Sequence, residues 1–547
     1  MGGGEPMSMK YYGIYIAYPP TVDMSNEGLG RYLAAFLKGA AQRSDVRFVL
    51  VCPSWSRKGL DRLFSGEGVP TDLFEIRHPP KSPFILRVYE AISAYRKRMR
   101  EKSQPHRTVE WLRRIEDHAE KFVLQRVAAA LTFLPLIPMA LIACLVLAAA
   151  LVLSPLLLIV VAAYLIVRGA RLVAKWAASP IAVASTRLHK VLAHPEDDSF
   201  VFRLYKFMEE SESRRMLKLV AGMTNVRAWY CPTAFWPSFN QIRAPKLMCV
   251  PDVVLRDFAI DFCQLGGDRL LTTFEEVEST IRSAKYFTTY SDAVKWETLV
   301  DGYAVNSADI TVVRHAPNDL SQLVVVGGFG DAAGVSRRYC EWLLSCALRK
   351  SSNPAYANDI PNRSIRFLFY ASQFRPNKNL ISLLRAYEHL LRSQKIAHKL
   401  ILTGKPTMLP AVQDFIREHF LENDVVCVHG LAVQELAACY KLADLAVNPS
   451  LSEGGCPFTF CEALSVGTPV VMSRIPVTTE VLVGHELQAQ TLFDPYDWQD
   501  IADRIEWALA HRDELLSIQL PVYAQLAQRN WVDVVDEHIA VLERISS

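Results

Sequence analysis

Short apolar runs alternate along most of this chain with stretches whose apolar positions recur every three or four residues, the pattern of strands followed by helices. Residues 12–18 read as a first strand. A turn-rich loop follows, ending in Asn26-Glu27-Gly28-Leu29-Gly30-Arg31-Tyr32 before an amphipathic helix through Leu37, and 48–53 reads as a second strand. This is the β-α-β opening of a doubly wound domain. The rhythm returns with strands at 246–250 and 286–290, the latter leading into a helix start at Ser291-Asp292. A third block runs through strands at 367–371, 400–405 and 425–430, a helix at 435–442, and strands at 445–447 and 469–471. Amphipathic helices at 498–509 and 531–545 close the chain. Residues 327–361, rich in Gly, Ser, Asn and Pro around one amphipathic helix (337–348), read as the connection between two domains.

One segment breaks the rhythm. Residues 87–126 carry eleven Lys/Arg against six Asp/Glu, and residues 127–167 then carry no charge at all. A membrane-spanning helix needs ~20 apolar residues, so this run is about two spans long, with Pro135, Pro138 and Ser154-Pro155 as breaks. Arg168, Arg171, Lys175, Arg187 and Lys190 follow with no acid before Glu196. Basic flanks on both sides predict a helical hairpin, spanning or re-entrant, with both ends on the cytoplasmic side.

The candidate chemistry concentrates at 444–471. An apolar run stops at Pro449-Ser450, Glu453 precedes the pair Gly454-Gly455, and Glu462 opens a short helical pattern that ends at Gly467 before another apolar run. The loop of such a strand-loop-helix unit lies at the carboxyl ends of parallel strands, where N–H groups of the helix start suit anionic or hydroxyl-rich ligands. Two carboxylates there can each accept a pair of hydroxyls. Gly28 and Gly30 let the backbone approach a ligand closely at another helix start. The segment Ser372-Gln373-Phe374-Arg375-Pro376-Asn377-Lys378 places basic groups in a neighbouring strand-helix loop, where they can meet negative charge.

The stretch from Pro449 to Val471 resembles the donor-binding loop of the family-4 retaining glycosyltransferases, including its Gly-Thr-Pro-Val-Val ending. The resemblance covers nearly everything except about residues 85–215 and is strongest over 367–480. It implies the GT-B arrangement and sugar transfer from a nucleotide diphosphate to a hydroxyl with retained configuration. It also implies that Glu453, Gly454 and Gly455 face the transferred sugar, that Glu462 takes the ribose hydroxyls, and that Gly28 and Gly30 belong to a loop closing over the donor phosphates or the acceptor. Eight residues separate the two acids, one more than is usual in the family. Lys378 matches the family's phosphate-binding Lys, whereas Gln373 stands where an Arg is usual, so Arg375 is the candidate for the missing charge. Pro251-Asp252 occupies the place of a His-Asp pair. Asp252 is therefore either a substitute for the sugar-contacting His or a loop-capping acid.

Composition narrows the rest. A net charge of +3 over 547 residues implies no bulk nucleic-acid partner. Eleven scattered Cys without a C-x-x-C suit reduced thiols rather than a disulfide or zinc framework, and no signal-peptide pattern follows the initial Met. The expected organisation is an N-terminal domain at 1–84 and 216–326, an insertion at 85–215 with the hairpin at about 127–167, a connection at 327–362, a donor-binding domain at 363–530 and a returning helix at 531–547. The expected activity is metal-independent, cofactor-free transfer of mannose or glucose from a nucleotide sugar to a lipid-linked glycan at the cytoplasmic face of the inner membrane, in surface polysaccharide synthesis. The alternatives are an inactive membrane scaffold of the same fold and a sugar-nucleotide epimerase.

Overall fold

The computed structural model describes residues 9–20, 22, 24, 28–84, 86–87, 200–266, 268–357 and 365–547. The chain divides into one unit of Met1–Pro80 with Phe207–Ser547 and another of Lys81–Lys206. The expected hairpin at 127–167 lies outside the described residues. Among the described residues, no helix is long and apolar enough to cross a membrane.

The larger unit contains two wholly parallel sheets, as the alternation of apolar runs and helices predicts. The first has β1 (Lys10–Tyr15), β2 (Val46–Val51), β3 (Glu75–Arg77), β4 (Val226–Cys231), β5 (Lys246–Cys249), β6 (Tyr286–Thr289) and β7 (Ile310–Val312). Their order is β3-β2-β1-β4-β5-β6-β7, so the winding reverses between β1 and β4. In sequence, residues 81–206 lie between β3 and β4. The second sheet has β8 (Phe367–Tyr370), β9 (Lys399–Thr403), β10 (Val425–Val428), β11 (Leu445–Asn448), β12 (Val470–Ser473) and β13 (Leu492–Phe493), ordered β10-β9-β8-β11-β12-β13. Here the reversal falls between β8 and β11. Parallel strands need crossover connections, which is why a helical segment separates most successive strands.

Each sheet has its own apolar core. In the first, β4 packs Trp229 so closely on β1 that a side chain at Gly13 would lie 2.2 Å from the indole. The helix Ala332–Leu348, expected within a connection, instead belongs to the second core, burying Cys340, Leu343, Leu344, Ala347 and Leu348 there. The final helix, Trp531–Ser546, packs on the first sheet through Val534, Val535, Ile539 and Leu542. Its close approach to the helix Gly28–Ala40 requires a glycine, since a Cβ on Gly39 would stand 2.4 Å from the Trp531 carbonyl oxygen.

His538 on the final helix is fully buried, edge-on to Phe36 and Tyr230, with Nδ1 2.7 Å from the Val534 carbonyl oxygen. Burial pushes its pKa down to about 4. The folded chain therefore holds it neutral while the unfolded chain protonates near ~6.5, so stability falls as pH drops from about 6.5 toward 4. Between pH 7.5 and 5, the wild-type chain should lose about 2 kcal/mol more stability than His538→Leu, at ~1.4 kcal/mol per pH unit. Urea unfolding at the two pH values checks this; parallel losses in the two proteins would refute it.

Candidate functional site

Because β8 and β11 are neighbours at the reversal point, the loops leaving their carboxyl ends run side by side. Backbone and side-chain bonds stitch them together: Leu451 N donates to Asn377 O (2.8 Å), Asn377 Nδ2 to Ser452 O (3.4 Å) and Ser450 Oγ to Asn377 O (3.3 Å). Asn379 adopts a left-handed backbone (φ 53°), a conformation Asn tolerates, and starts the next helix while donating to Pro495 O at 2.7 Å. This turn holds Lys378 over the second loop. Its Nζ donates to Glu453 Oε1 at 2.7 Å and to Ser450 Oγ at 3.3 Å. The structure thus unites Lys378 and Glu453. Arg375 is exposed, and its Nη2 donates to Gln373 Oε1 at 2.7 Å, so these two candidates meet each other at the rim.

The first domain closes the cleft with the loops after β5, β6 and β7. Ser291 Oγ donates to Gly454 O at 3.0 Å. A Cβ on Gly454 would lie 2.2 Å from the Pro251 carbonyl oxygen, and one on Gly455 would lie 2.9 Å from Tyr290 Cβ and 3.1 Å from His315 Nε2. Both glycines are therefore required by domain contact, whatever a ligand also requires of them. Asp252 is half-buried beside Lys378, Glu453 and Arg375. Desolvation raises its pKa to about 6; Glu453 adds to the rise, while Lys378 and Arg375 oppose it. His315, which no sequence pattern singles out, lies over Phe458 at 4.4 Å between ring centroids and edge-on to Tyr290 at 5.7 Å. Burial lowers its pKa, favouring the neutral ring.

Glu462 sits on the helix Phe458–Ser465 and is only 2% exposed. Arg31 Nη2, from the first domain, pairs with its Oε1, and Asn318 Nδ2 donates to the same oxygen at 3.1 Å. The carboxylate in turn holds the Arg31 guanidinium above its ordinary pKa. The sequence pattern singles out the glycines beside Arg31 and not Arg31 itself. Of these, Gly28 is exposed with open space around it, whereas a Cβ on Gly30 would lie 2.0 Å from Met24 O, so Gly30 serves the approach of the chain to itself. A further tie between the domains is Glu480, which accepts from Ala293 N at 3.0 Å and from Arg314 Nη2 at 2.7 Å.

Residues 358–519 match the model of the glycosyl transferases group 1. The segment that carries Lys378, Glu453 and Glu462 is thus a glycosyl transferases group 1 domain. Two mannosyltransferases are similar in sequence. The serotype-specific mannosyltransferase WbdA of Escherichia coli is 29% identical over 179 residues, 32% of this chain and 21% of WbdA. The O-antigen chain mannosyltransferase RfbU of Salmonella typhimurium is 30% identical over 132 residues, 24% of this chain and 36% of RfbU. The matches therefore span about a fifth and about a third of these relatives' lengths. The solved N-terminal domain of a Candida albicans trehalose-6-phosphate phosphatase superposes with a TM-score of 0.54 at 12% identity, covering 100% of this chain and 99% of that one. That likeness is one of fold.

Two outcomes follow from this geometry. Gly454→Ala drives a methyl group against Pro251 and displaces the Glu453 loop, so turnover should fall by roughly a hundredfold, the loss typical of an ~1 Å misplacement. Wild-type turnover in a folded variant would show that the loop tolerates the shift. Asp252 is ionised above about pH 6 and neutral below it. If the ionised form is the active one, kcat/KM should decline about tenfold per pH unit below 6, and Asp252→Asn should flatten that limb at a lower plateau. A pH profile of the variant that still bends near 6 would assign the limb elsewhere.

Proposed function

We propose that the chain is a retaining glycosyltransferase that moves a sugar, mannose foremost, from a nucleotide diphosphate to the hydroxyl of a lipid-linked glycan. The observation that supports this reading is that Lys378 pairs with Glu453 and Glu462 pairs with Arg31 of the first domain, with Lys378 and both acids lying on the segment that matches the glycosyl transferases group 1. Glu462 takes the ribose hydroxyls. Glu453 and the Gly454-Gly455 backbone hold the transferred sugar, and Asp252 approaches it from the first domain.

In the proposed reaction the acceptor hydroxyl oxygen attacks the anomeric carbon on the face that the diphosphate leaves. The bond from that carbon to the phosphate oxygen breaks as the new glycosidic bond forms, and the hydroxyl proton passes to the departing phosphate. Lys378, with Arg375 at the rim, meets the charge that grows on the leaving group, so the proposed step uses no metal and no cofactor. Glu453 is not a nucleophile in this scheme; its ion pair with Lys378 sets both side chains. Similarity to WbdA and RfbU supports mannose and a surface-polysaccharide acceptor, with a UDP-glucose-type donor as the second choice. The uncharged run at 127–167 and its basic flanks support a lipid-linked acceptor met at the cytoplasmic face of the inner membrane.

A donor screen decides the matter. The full chain in lipid vesicles is offered GDP-mannose, UDP-glucose and related nucleotide sugars with polyprenyl-diphosphate glycans, and released nucleoside diphosphate is measured. Release from one donor, dependent on acceptor and abolished by Glu453→Gln with Lys378→Ala, is the expected result. No release from any donor would favour an inactive scaffold, and conversion of the donor sugar without acceptor would favour an epimerase.

A further inference from the structure

Glu462 and Arg31 lie 431 residues apart, on opposite domains, yet form one ion pair. The carboxylate is 2% exposed, and Oε1 receives both the guanidinium and the Asn318 amide. A buried carboxylate is tolerated only while donors surround it, so whatever replaces Arg31 there must itself donate hydrogen bonds. Ribose hydroxyls do so. The guanidinium, by contrast, carries five donors, no acceptor and a permanent charge, so once displaced it needs an anion within reach.

We propose that Arg31 is a partner-exchanging residue of donor binding: the ribose takes over Glu462, and the freed guanidinium turns to the donor's diphosphate. This inference rests on the reading of the cleft as a nucleotide-sugar site. Three observations support it beyond the ion pair. Arg31 stands in the first turn of the helix Gly28–Ala40, whose positive end also favours phosphate. Its side chain remains one-third exposed (33%), so it has room to swing. On the other wall of the cleft, Lys378 is paired with Glu453 in the same way. Arg31 and Lys378 are thus each held against a carboxylate that the proposed donor site assigns to a sugar, within reach of a diphosphate bound between them. A bidentate fork suits a phosphate better than an ammonium does, which distinguishes Arg31 from Lys378.

Calorimetry on the full chain separates the outcomes, with GDP and UDP as diphosphate probes and guanosine and uridine as probes lacking phosphate. Arg31→Ala should weaken binding of the preferred nucleoside diphosphate about ten- to a hundredfold, the worth of hydrogen bonds to a charged group. The corresponding nucleoside should bind the variant as well as or better than wild type, because its competitor for Glu462 is gone. Arg31→Lys should recover part of the diphosphate affinity. Unchanged diphosphate affinity in Arg31→Ala, or equal weakening for nucleoside and diphosphate, would overturn the exchange and leave Arg31 a fixed domain clasp. Wild-type chain that binds neither GDP nor UDP would instead overturn the nucleotide-sugar reading itself, and the exchange with it.

Discussion

The approach of Gly454 to Pro251 is the contact on which the rest of the site depends. A carbonyl oxygen of the first domain occupies the space where any other residue at 454 would place its side chain, and Ser291 fixes the same peptide from its other neighbour. With the loop seated there, Glu453 faces Lys378 from its own domain and Asp252 from the opposite one. Three carboxylates, Asp252, Glu453 and Glu462, are served by Lys378, Arg31 and the outlying Arg375. Asp252 is pushed upward to about 6, because burial outweighs the cations near it.

Ion pairs of this kind contribute little net stability, since desolvating both partners offsets most of their attraction. Their value lies in orientation. Arg31 and Asn318 both donate to Glu462 Oε1, and Ser450 shares Lys378 with Glu453. The apolar cores beneath the two sheets supply the stability that lets these polar groups stay buried.

Much of this was legible in the sequence where the signal is local. Apolar runs of strand length, separated by amphipathic stretches, named both sheets, and the adjacency of the loops after β8 and β11 follows from the doubly wound order. Lys378 facing Glu453 is a consequence of that order. β4 was not legible: Val226–Cys231 mixes Arg227 with the large rings of Trp229 and Tyr230 and shows no alternation. Arg31 as a partner of Glu462 was equally hidden, because it reaches the second domain only through contact between the domains, and no spacing in one dimension encodes that. Arg375 and Gln373, both named from the same loop, bond to each other there. The uncharged run at 127–167 lies outside the described residues, and its role rests on composition.

The final helix carries a consequence for how the chain comes into being. The first core is built from both ends of the sequence, with Tyr12, Phe36 and Phe48 at one end and Val534, Ile539 and Leu542 at the other. At ~5–20 residues per second, a ribosome delivers the last helix roughly half a minute to two minutes after the first strand. Throughout that interval the apolar side of the helix Gly28–Ala40 lacks its cover, whereas among the described residues the second core draws on the continuous stretch from Leu320 to Leu526. The domain that is translated first is therefore completed only by the last helix to be made.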